Sequence, residues 1–511
     1  MAVLHSDLVS SLTLSGGLAI LASALVLYTT IRTIYNVFFH PLSKVPGPKL
    51  YATTQLPYLW NITRGQWMYR LMDLHDQYGP VVRYAPNDVS FITADAYKNI
   101  YGHKTSGAKI FEKDLRAYRQ KRPAPNLIIA NHEDHKRQRK LLSHAFSQKA
   151  LRGQEGLINH YVDLFIERLT QKAQQGEAVN MVAWYNFATF DLIGHLALGQ
   201  PFGCLESGNY HPWVRRIFHT MKSVSFSQAL VRLGLRDYIP MLTPKRLQKA
   251  TEEHWQFTEH AAGARLDAKD TNSQDFMSYI LRYNDERGMS RPEILENSSL
   301  LIIAGSETTA TLLSGATYFL LTNPEKCEKL VKEIRSTFAS EDEITANAVD
   351  HLKYLLAVLS ESFRLYPPVA DVRTLDPPVA AGLPRITPVG GEFMEGYYIP
   401  EKTSVSVPQL PAYRSSQNFR NPEQFVPERW LDDPLYANDS RAVVQPFSMG
   451  PRDCLGKNLA YVEMRLILTR LLWKFDLELM PESRDWYDQD IYIIWEKKEL
   501  NIKLTEVVRE K

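Results

Sequence analysis

Near the C-terminus the chain reads Phe447-Ser448-Met449-Gly450-Pro451-Arg452-Asp453-Cys454-Leu455-Gly456, one cysteine held between two glycines in a chain with three cysteines among 511 residues. Cys204, Cys327 and Cys454 lie far apart with no C-x-x-C pair, which argues against a disulfide framework and against a cysteine-built zinc site. Gly450 and Gly456 tolerate tight backbone, and Leu459, Val462, Leu466 and Ile467 recur at helical spacing behind the thiol. That pattern predicts Cys454 at a helix N-terminus, where backbone N–H groups and the positive dipole end favour a thiolate and a bound metal stabilises it further. A second constellation is Ala304-Gly305-Ser306-Glu307-Thr308-Thr309, in which the Thr308 hydroxyl can bond back to the Ala304 carbonyl and bend the helix locally. Glu361 and Arg364 stand at i, i+3, where they can pair, and His135 and Arg139 share one face of an early helix. Other chemistries are excluded: there is no G-x-x-x-x-G-K-[ST] loop and no G-x-S-x-G elbow, and His132-Glu133-Asp134-His135 is one residue short of a zinc-protease motif.

A lone thiolate held in this way suits haem iron. The five fixed positions Phe447, Gly450, Arg452, Cys454 and Gly456 resemble the haem-binding loop of the cytochrome P450 family of haem-thiolate monooxygenases. The resemblance implies haem b as cofactor, Cys454 as its iron ligand, and small residues at 304 and 305 that leave room for dioxygen. Thr308 would face the bound oxygen and Glu307 would help bring protons in. Pro427-Glu428-Arg429-Trp430 follows at the family's expected place, so Glu361, Arg364 and Arg429 are implied as a structural network that positions the cysteine loop. For the haem propionates the resemblance offers Arg452, His135 and Arg139. Many relatives carry Trp at the position of His135, and a solvated positive face is the alternative reading of the basic run His135-Lys136-Arg137-Gln138-Arg139-Lys140.

Several elements must position these residues. The run opening Ser290-Arg291-Pro292-Glu293 has a capping-box pattern and an early proline, and it continues apolar toward Glu307; Asn297, Ser298 and Ser299 need not break it. Upstream of the cysteine, Leu365-Tyr366-Pro367-Pro368-Val369-Ala370 recurs as Leu375-Asp376-Pro377-Pro378-Val379-Ala380, where the family has one such segment entering a strand beside the haem. The extra residues are either a longer active-site loop or a gene-model error. Gly382-Leu383-Pro384-Arg385 continues the family pattern best, which makes Arg385, rather than Arg373, the further propionate candidate.

The rest of the body beyond residue 50 is dominated by helical periodicity, with strand-like runs at 80–84 and 88–92, and it has no interdomain linker or solenoid repeat. The expected fold class is mainly α with a small β portion, the cytochrome P450 fold, preceded by one transmembrane helix. Residues 1–34 form the anchor, with no charge from Leu8 to Ile31; about 24 residues at roughly 1.5 Å each span the hydrocarbon core. Residues 35–49, containing His40-Pro41-Leu42-Ser43-Lys44-Val45-Pro46-Gly47-Pro48, form a stiff proline-rich linker, and 50–511 the catalytic domain. Lysine and arginine follow the span and do not precede it, which places the body on the cytosolic side, by resemblance at the endoplasmic reticulum, and sequons at Asn61, Asn297 and Asn438 then carry little weight.

The net charge of +2 gives no reason to expect nucleic-acid binding. No flavin or nicotinamide site is apparent, so the resemblance implies a separate NADPH-cytochrome P450 reductase as partner. Stretches such as Leu141-Leu142-Ser143-His144-Ala145-Phe146-Ser147 and Asn458-Leu459-Ala460-Tyr461-Val462-Glu463-Met464-Arg465 resemble fungal microsomal members that tailor terpenoids and polyketides. The expected activity is insertion of one oxygen atom from O2 into an apolar small molecule. A haem-thiolate isomerase or dehydratase and a non-catalytic haem protein are the alternatives.

Overall fold

The computed structural model describes residues 14–105, 107, 109–114, 124–285, 288–370, 384–492 and 494–508. Helix α1 (Leu14–Ile34) carries apolar side chains around its circumference, among them Leu18, Leu21, Leu25 and Ile31, all exposed. It runs on through a π-turn, Tyr35–Phe39, so that Gly16–Phe39 is long and apolar enough to cross a membrane, which fits a single membrane anchor. The expected helix end at Ile31 is therefore too early, and residues 8–13 of the expected span lie outside the described residues. Arg32 stays helical in the last turn of α1 with its guanidinium 5.9 Å from the Tyr28 ring centre. A basic side chain suits a helix C-terminus and can reach out toward polar surroundings.

The proline-rich stretch after it is docked rather than free. Leu42 and Val45 are buried. The Arg83 backbone N–H donates to the Pro46 carbonyl at 2.7 Å and its Nη1 to the Asn36 carbonyl at 2.9 Å. At Gly47 an added Cβ would fall 2.3 Å from the Arg83 carbonyl oxygen, so only glycine lets the two backbones approach this closely.

In the body, the two expected strand-like runs are strands β1 (Val81–Ala85) and β2 (Asp88–Phe91), which pair antiparallel as a hairpin. With β3 (Glu112–Lys113), β4 (Arg385–Ile386) and β5 (Ser404–Ser406) they make a five-stranded sheet in the order β1-β2-β5-β4-β3. The antiparallel pairing of β3 with β4 sets Lys113 directly opposite Arg385. The helices that matter for the site are α2 (His132–Ser143), α3 (Met181–Leu198), α4 (Arg291–Thr322), α5 (Lys353–Leu365) and α6 (Lys457–Lys474).

Helix α4 starts at the expected capping box, with Glu293 Oε2 accepting the Ser290 backbone N–H at 2.8 Å. It lies against α3 for much of its length and is buried on nearly every side. Asn297 and Ser298 sit inside it without breaking it because Asn297 Nδ2 donates to the Glu293 carbonyl and Ser298 Oγ to the Ile294 carbonyl, at 2.8 and 3.0 Å. Asn297 is fully buried, which is why its sequon is not a surface site.

Candidate active site

A largely apolar cavity lies between α4 and α6. It encloses about 1320 Å³, open solvent at its mouth included, and the Cys454 thiol, the Ala304–Gly305 step and Thr308 all border it. The cysteine loop is closed by the Cys454 N–H donating to the Phe447 carbonyl at 2.8 Å. Its turn needs positive φ at Ser448 (58°) and Gly450 (79°). A Cβ at 450 would stand 2.0 Å from the Tyr101 carbonyl oxygen, so this glycine is fixed by both conformation and space. Phe447 borders the cavity and packs edge-on against Phe363 of α5, ring centres 5.2 Å apart.

Gly456 caps α6, so the thiol does stand just before a helix N-terminus. Cys454 is exposed and borders the cavity. Burial pushes the Cys454 thiol up, against a pull downward from a hydrogen bond donated by the Gly456 N–H. The Gly456 N–H at the helix end thus favours the thiolate as expected, and the charge of a bound cation would favour it further.

Behind the loop the expected network is present and entirely buried. Glu361 takes a bidentate pair from Arg364, Nε to Oε2 at 2.9 Å and Nη2 to Oε1 at 2.7 Å, and Arg429 Nε donates to Oε1 at 3.0 Å. Sequence reading missed two further partners: Trp430 Nε1 donates to Glu361 Oε2 at 2.9 Å, and Arg429 Nη1 pairs with Asp439. Arg364 also donates to the carbonyls of Tyr413, Pro422 and Gln424, which ties α5 to the segment leading into the cysteine loop.

On α4, Thr308 Oγ1 donates to the Ala304 carbonyl at 2.7 Å, the back-bond expected from the motif. Glu307 stands behind the cavity wall. It is buried, does not border the cavity, and its Oε1 is held by Lys497 Nζ and by Thr311 Oγ1, the latter at 3.3 Å. Burial raises its carboxyl, and the Lys497 ammonium works against that rise.

Cations gather at the other end of the cavity. Arg452 Nη2 donates to the Ala130 and Asn131 carbonyls, both at 3.0 Å, and borders the cavity together with His135. Arg139 borders it too, but its guanidinium is engaged with Asp453, Nη1 donating to that residue's carbonyl at 2.6 Å, so it clamps the cysteine loop. Arg385 lies just behind, over the Tyr101 ring at 5.3 Å. Lys113, which no sequence motif marks, reaches the cavity and donates to the Ile128 carbonyl. Burial and the nearby Arg452 and Arg385 push the Lys113 ammonium well down. Burial, then Arg452, Lys113 and Arg139, push the His135 imidazolium down to about 3, so His135 is neutral at physiological pH and can offer one N–H. Pro368 and Val369 of the first proline copy border the cavity, whereas Arg373, Leu375–Ala380, Gly382 and Leu383 lie outside the described residues.

An apolar slot with one thiol on a wall and a cluster of cations at one end is the donor set that a flat, dianionic, iron-bearing macrocycle requires. Residues 48–504 match the profile of the family described as Cytochrome P450. The chain is a cytochrome P450. Cytochrome P450 monooxygenase astA of Talaromyces wortmannii is 45% identical over 487 residues, covering 95% of this chain and 96% of that protein. The trichothecene C-4 hydroxylase of Trichoderma arundinaceum is 43% identical, covering 96% of this chain and 98% of that protein. The averantin hydroxylase of Dothistroma septosporum is 40% identical, covering 94% and 90%. This P450 is accordingly a haem monooxygenase of fungal secondary metabolism, an oxidoreductase that works on a small molecule with a redox partner.

Proposed function

We propose that this P450 hydroxylates an apolar, polycyclic terpenoid or polyketide intermediate, and that the Cys454 thiolate would hold the iron of haem b. The observation that carries the reading is the Cys454 thiol opening onto an apolar cavity that also meets the Ala304–Thr308 bend of α4. When bound, haem iron supplies the activation of dioxygen, with electrons drawn from NADPH through a separate reductase.

The chain's own groups do the rest. Arg452, Lys113 and neutral His135 hold the propionates, with Arg385 adding charge from behind and Arg139 fixing Asp453 beside the ligand. Phe447 and Gly456 shape the wall around the thiol. The Glu361, Arg364 and Arg429 cluster fixes where the loop stands. Because the Thr308 hydroxyl donates to Ala304, its oxygen remains an acceptor facing the cavity, and Glu307 behind it stores a proton held by Lys497. The apolar walls exclude water from the reacting region. Residues 1–34 anchor the protein in the endoplasmic reticulum, 35–49 dock the body, and 50–511 form the catalytic domain on the cytosolic face.

Reduced, haem-loaded protein should give the red-shifted carbon monoxide difference band of thiolate ligation, and Cys454→Ser should abolish that band while leaving some haem bound. A folded, haem-loaded wild type without the band would overturn the reading. Metabolite profiling of the host with and without the gene then identifies the substrate as the accumulating precursor. Conversion of a hydroperoxide without reductase or NADPH, together with no oxygenation in their presence, would instead mark an isomerase.

A further inference from the structure

Asn297 is fully buried on α4, two turns before Ala304 and on the stripe of the helix that carries Leu300, Leu301, Ala304 and Thr308, all four of which border the cavity. Asn297 itself does not border it. Its side chain reaches instead to the turn at 125–131 that leads into α2, where Oδ1 accepts the Leu127 backbone N–H at 2.9 Å. Leu127 and Ile128 of that turn border the cavity too.

Two side-chain amides are fully engaged in this contact. Asn297 Nδ2 donates to the Glu293 carbonyl at 2.8 Å and to Gln138 Oε1 at 3.2 Å. Gln138 Nε2 donates in turn to the Pro125 carbonyl at 2.7 Å and to Glu293 Oε1 at 3.1 Å, and Arg137 pairs with Glu293 at 2.6 Å. Because the Leu127 N–H needs an oxygen, the Asn297 amide can stand only one way round, and that fixes the Gln138 amide after it. The other grips on the turn are cations: Lys113 donates to the Ile128 carbonyl, and Arg452 Nη2 to the Ala130 and Asn131 carbonyls. Lys113 and Arg452 also border the cavity at its cation end, whereas Asn297 and Gln138 carry no charge and have no second task there.

We propose that Asn297 is a positioning residue for substrate selection: by holding the Leu127 N–H it ties the Leu127–Ile128 wall to α4, and so sets the width of the cavity that an apolar molecule must fit. The proposal rests on the monooxygenase reading above, which makes this cavity the substrate's. A leucine at 297 would fill the same space but leave the Leu127 N–H and Gln138 Oε1 without partners, and the turn would then move off α4 or admit water to recover them. Either response widens the cavity at Leu127 and Ile128 and leaves Cys454, Arg452 and Thr308 where they are. An apolar pocket discriminates by fit, so a change of width there alters which molecule is accepted.

The test uses full-length, haem-loaded protein and compares wild type with N297L and Q138L, the second of which frees the Pro125 carbonyl of the same turn. Two azoles that bind haem iron through nitrogen serve as probes, imidazole as the small one and the triaryl azole clotrimazole as the bulky one, with dissociation constants read from the absorption shift. In N297L the clotrimazole constant divided by the imidazole constant should fall severalfold, with imidazole binding and the carbon monoxide band unchanged, because only the wall at 127–128 has given way. Hydrogen exchange resolved to single amides should show Leu127 exchanging about tenfold faster in N297L. Ala130, whose N–H is held within the turn by the Asn126 carbonyl at 2.9 Å, should keep its protection. Q138L should shift the azole ratio in the same direction and keeps the test decisive if N297L folds poorly. A wild type lacking the thiolate band fails the monooxygenase reading and this proposal with it. A wild type with the band, but with an unchanged ratio in both variants or a Leu127 amide still protected in N297L, overturns this proposal alone.

Discussion

Around Glu361 every buried charge meets its complement: its two oxygens accept from Arg364, Arg429, Trp430 and the Val426 backbone, and the remaining guanidinium nitrogens reach Asp439 and a set of carbonyls. Around the cavity like charges stand side by side. Lys113 stands beside Arg385 and Arg452, and behind the cavity wall Glu307, paired with Lys497 through one oxygen, keeps the other buried without a partner among the described residues. Buried charge is costly unless satisfied, so the first arrangement belongs to a support that must not move. The second leaves electrostatic capacity for a dianionic cofactor and for protons in transit.

The contrast breaks most visibly at Glu361. E361A leaves two arginines buried, and because a guanidinium cannot shed its proton the cost falls in full, about 3–5 kcal/mol. Against a typical total stability of about 5–15 kcal/mol, the variant should be recovered poorly and with little haem, as denaturant unfolding and haem content will show. Lys497→Met should cost less, about 3 kcal/mol at most, because the carboxyl it strands can escape by taking up a proton. In that variant the Glu307 carboxyl lies further above its unfolded value than before. Its stabilising contribution is then full at low pH and lost as pH rises, so the deficit against wild type should widen from about pH 5 to pH 8. A deficit constant across that range would mean that Glu307 is not the stranded group.

This comparison also explains what could be read from the sequence. The Cys454 loop, the Thr308 back-bond, the Ser290 cap and the Glu361–Arg364 pair are local patterns, set by residues within a few positions of one another, and each is where its motif places it. Lys497 meets Glu307 across 190 residues, and nothing near either residue announces the pairing. Lys113 owes its place to a strand register opposite Arg385, a product of topology. Arg139 had the right location and a different partner, because Asp453 beside the cysteine claims it first.

The smallest effect expected is also the most specific to the cavity. Lys113 stands among like charges in the apoprotein, so replacing it with methionine removes a repulsion as well as a cation and should leave the unfolding midpoint of the haem-free chain unchanged or raised. Once a propionate is present the same cation becomes a charge-assisted donor, a bond of about 1.5–3 kcal/mol, so Lys113→Met should speed haem loss to a scavenging apoprotein by about ten- to a hundredfold. Lys113→Arg, which keeps the charge, should restore most of the retention. No comparable split is open to the Glu361 cluster, where removing any member harms the protein with or without haem. If Lys113→Met instead destabilised the haem-free chain and left haem loss unchanged, Lys113 would belong with the support and the division between the two regions would have to be redrawn.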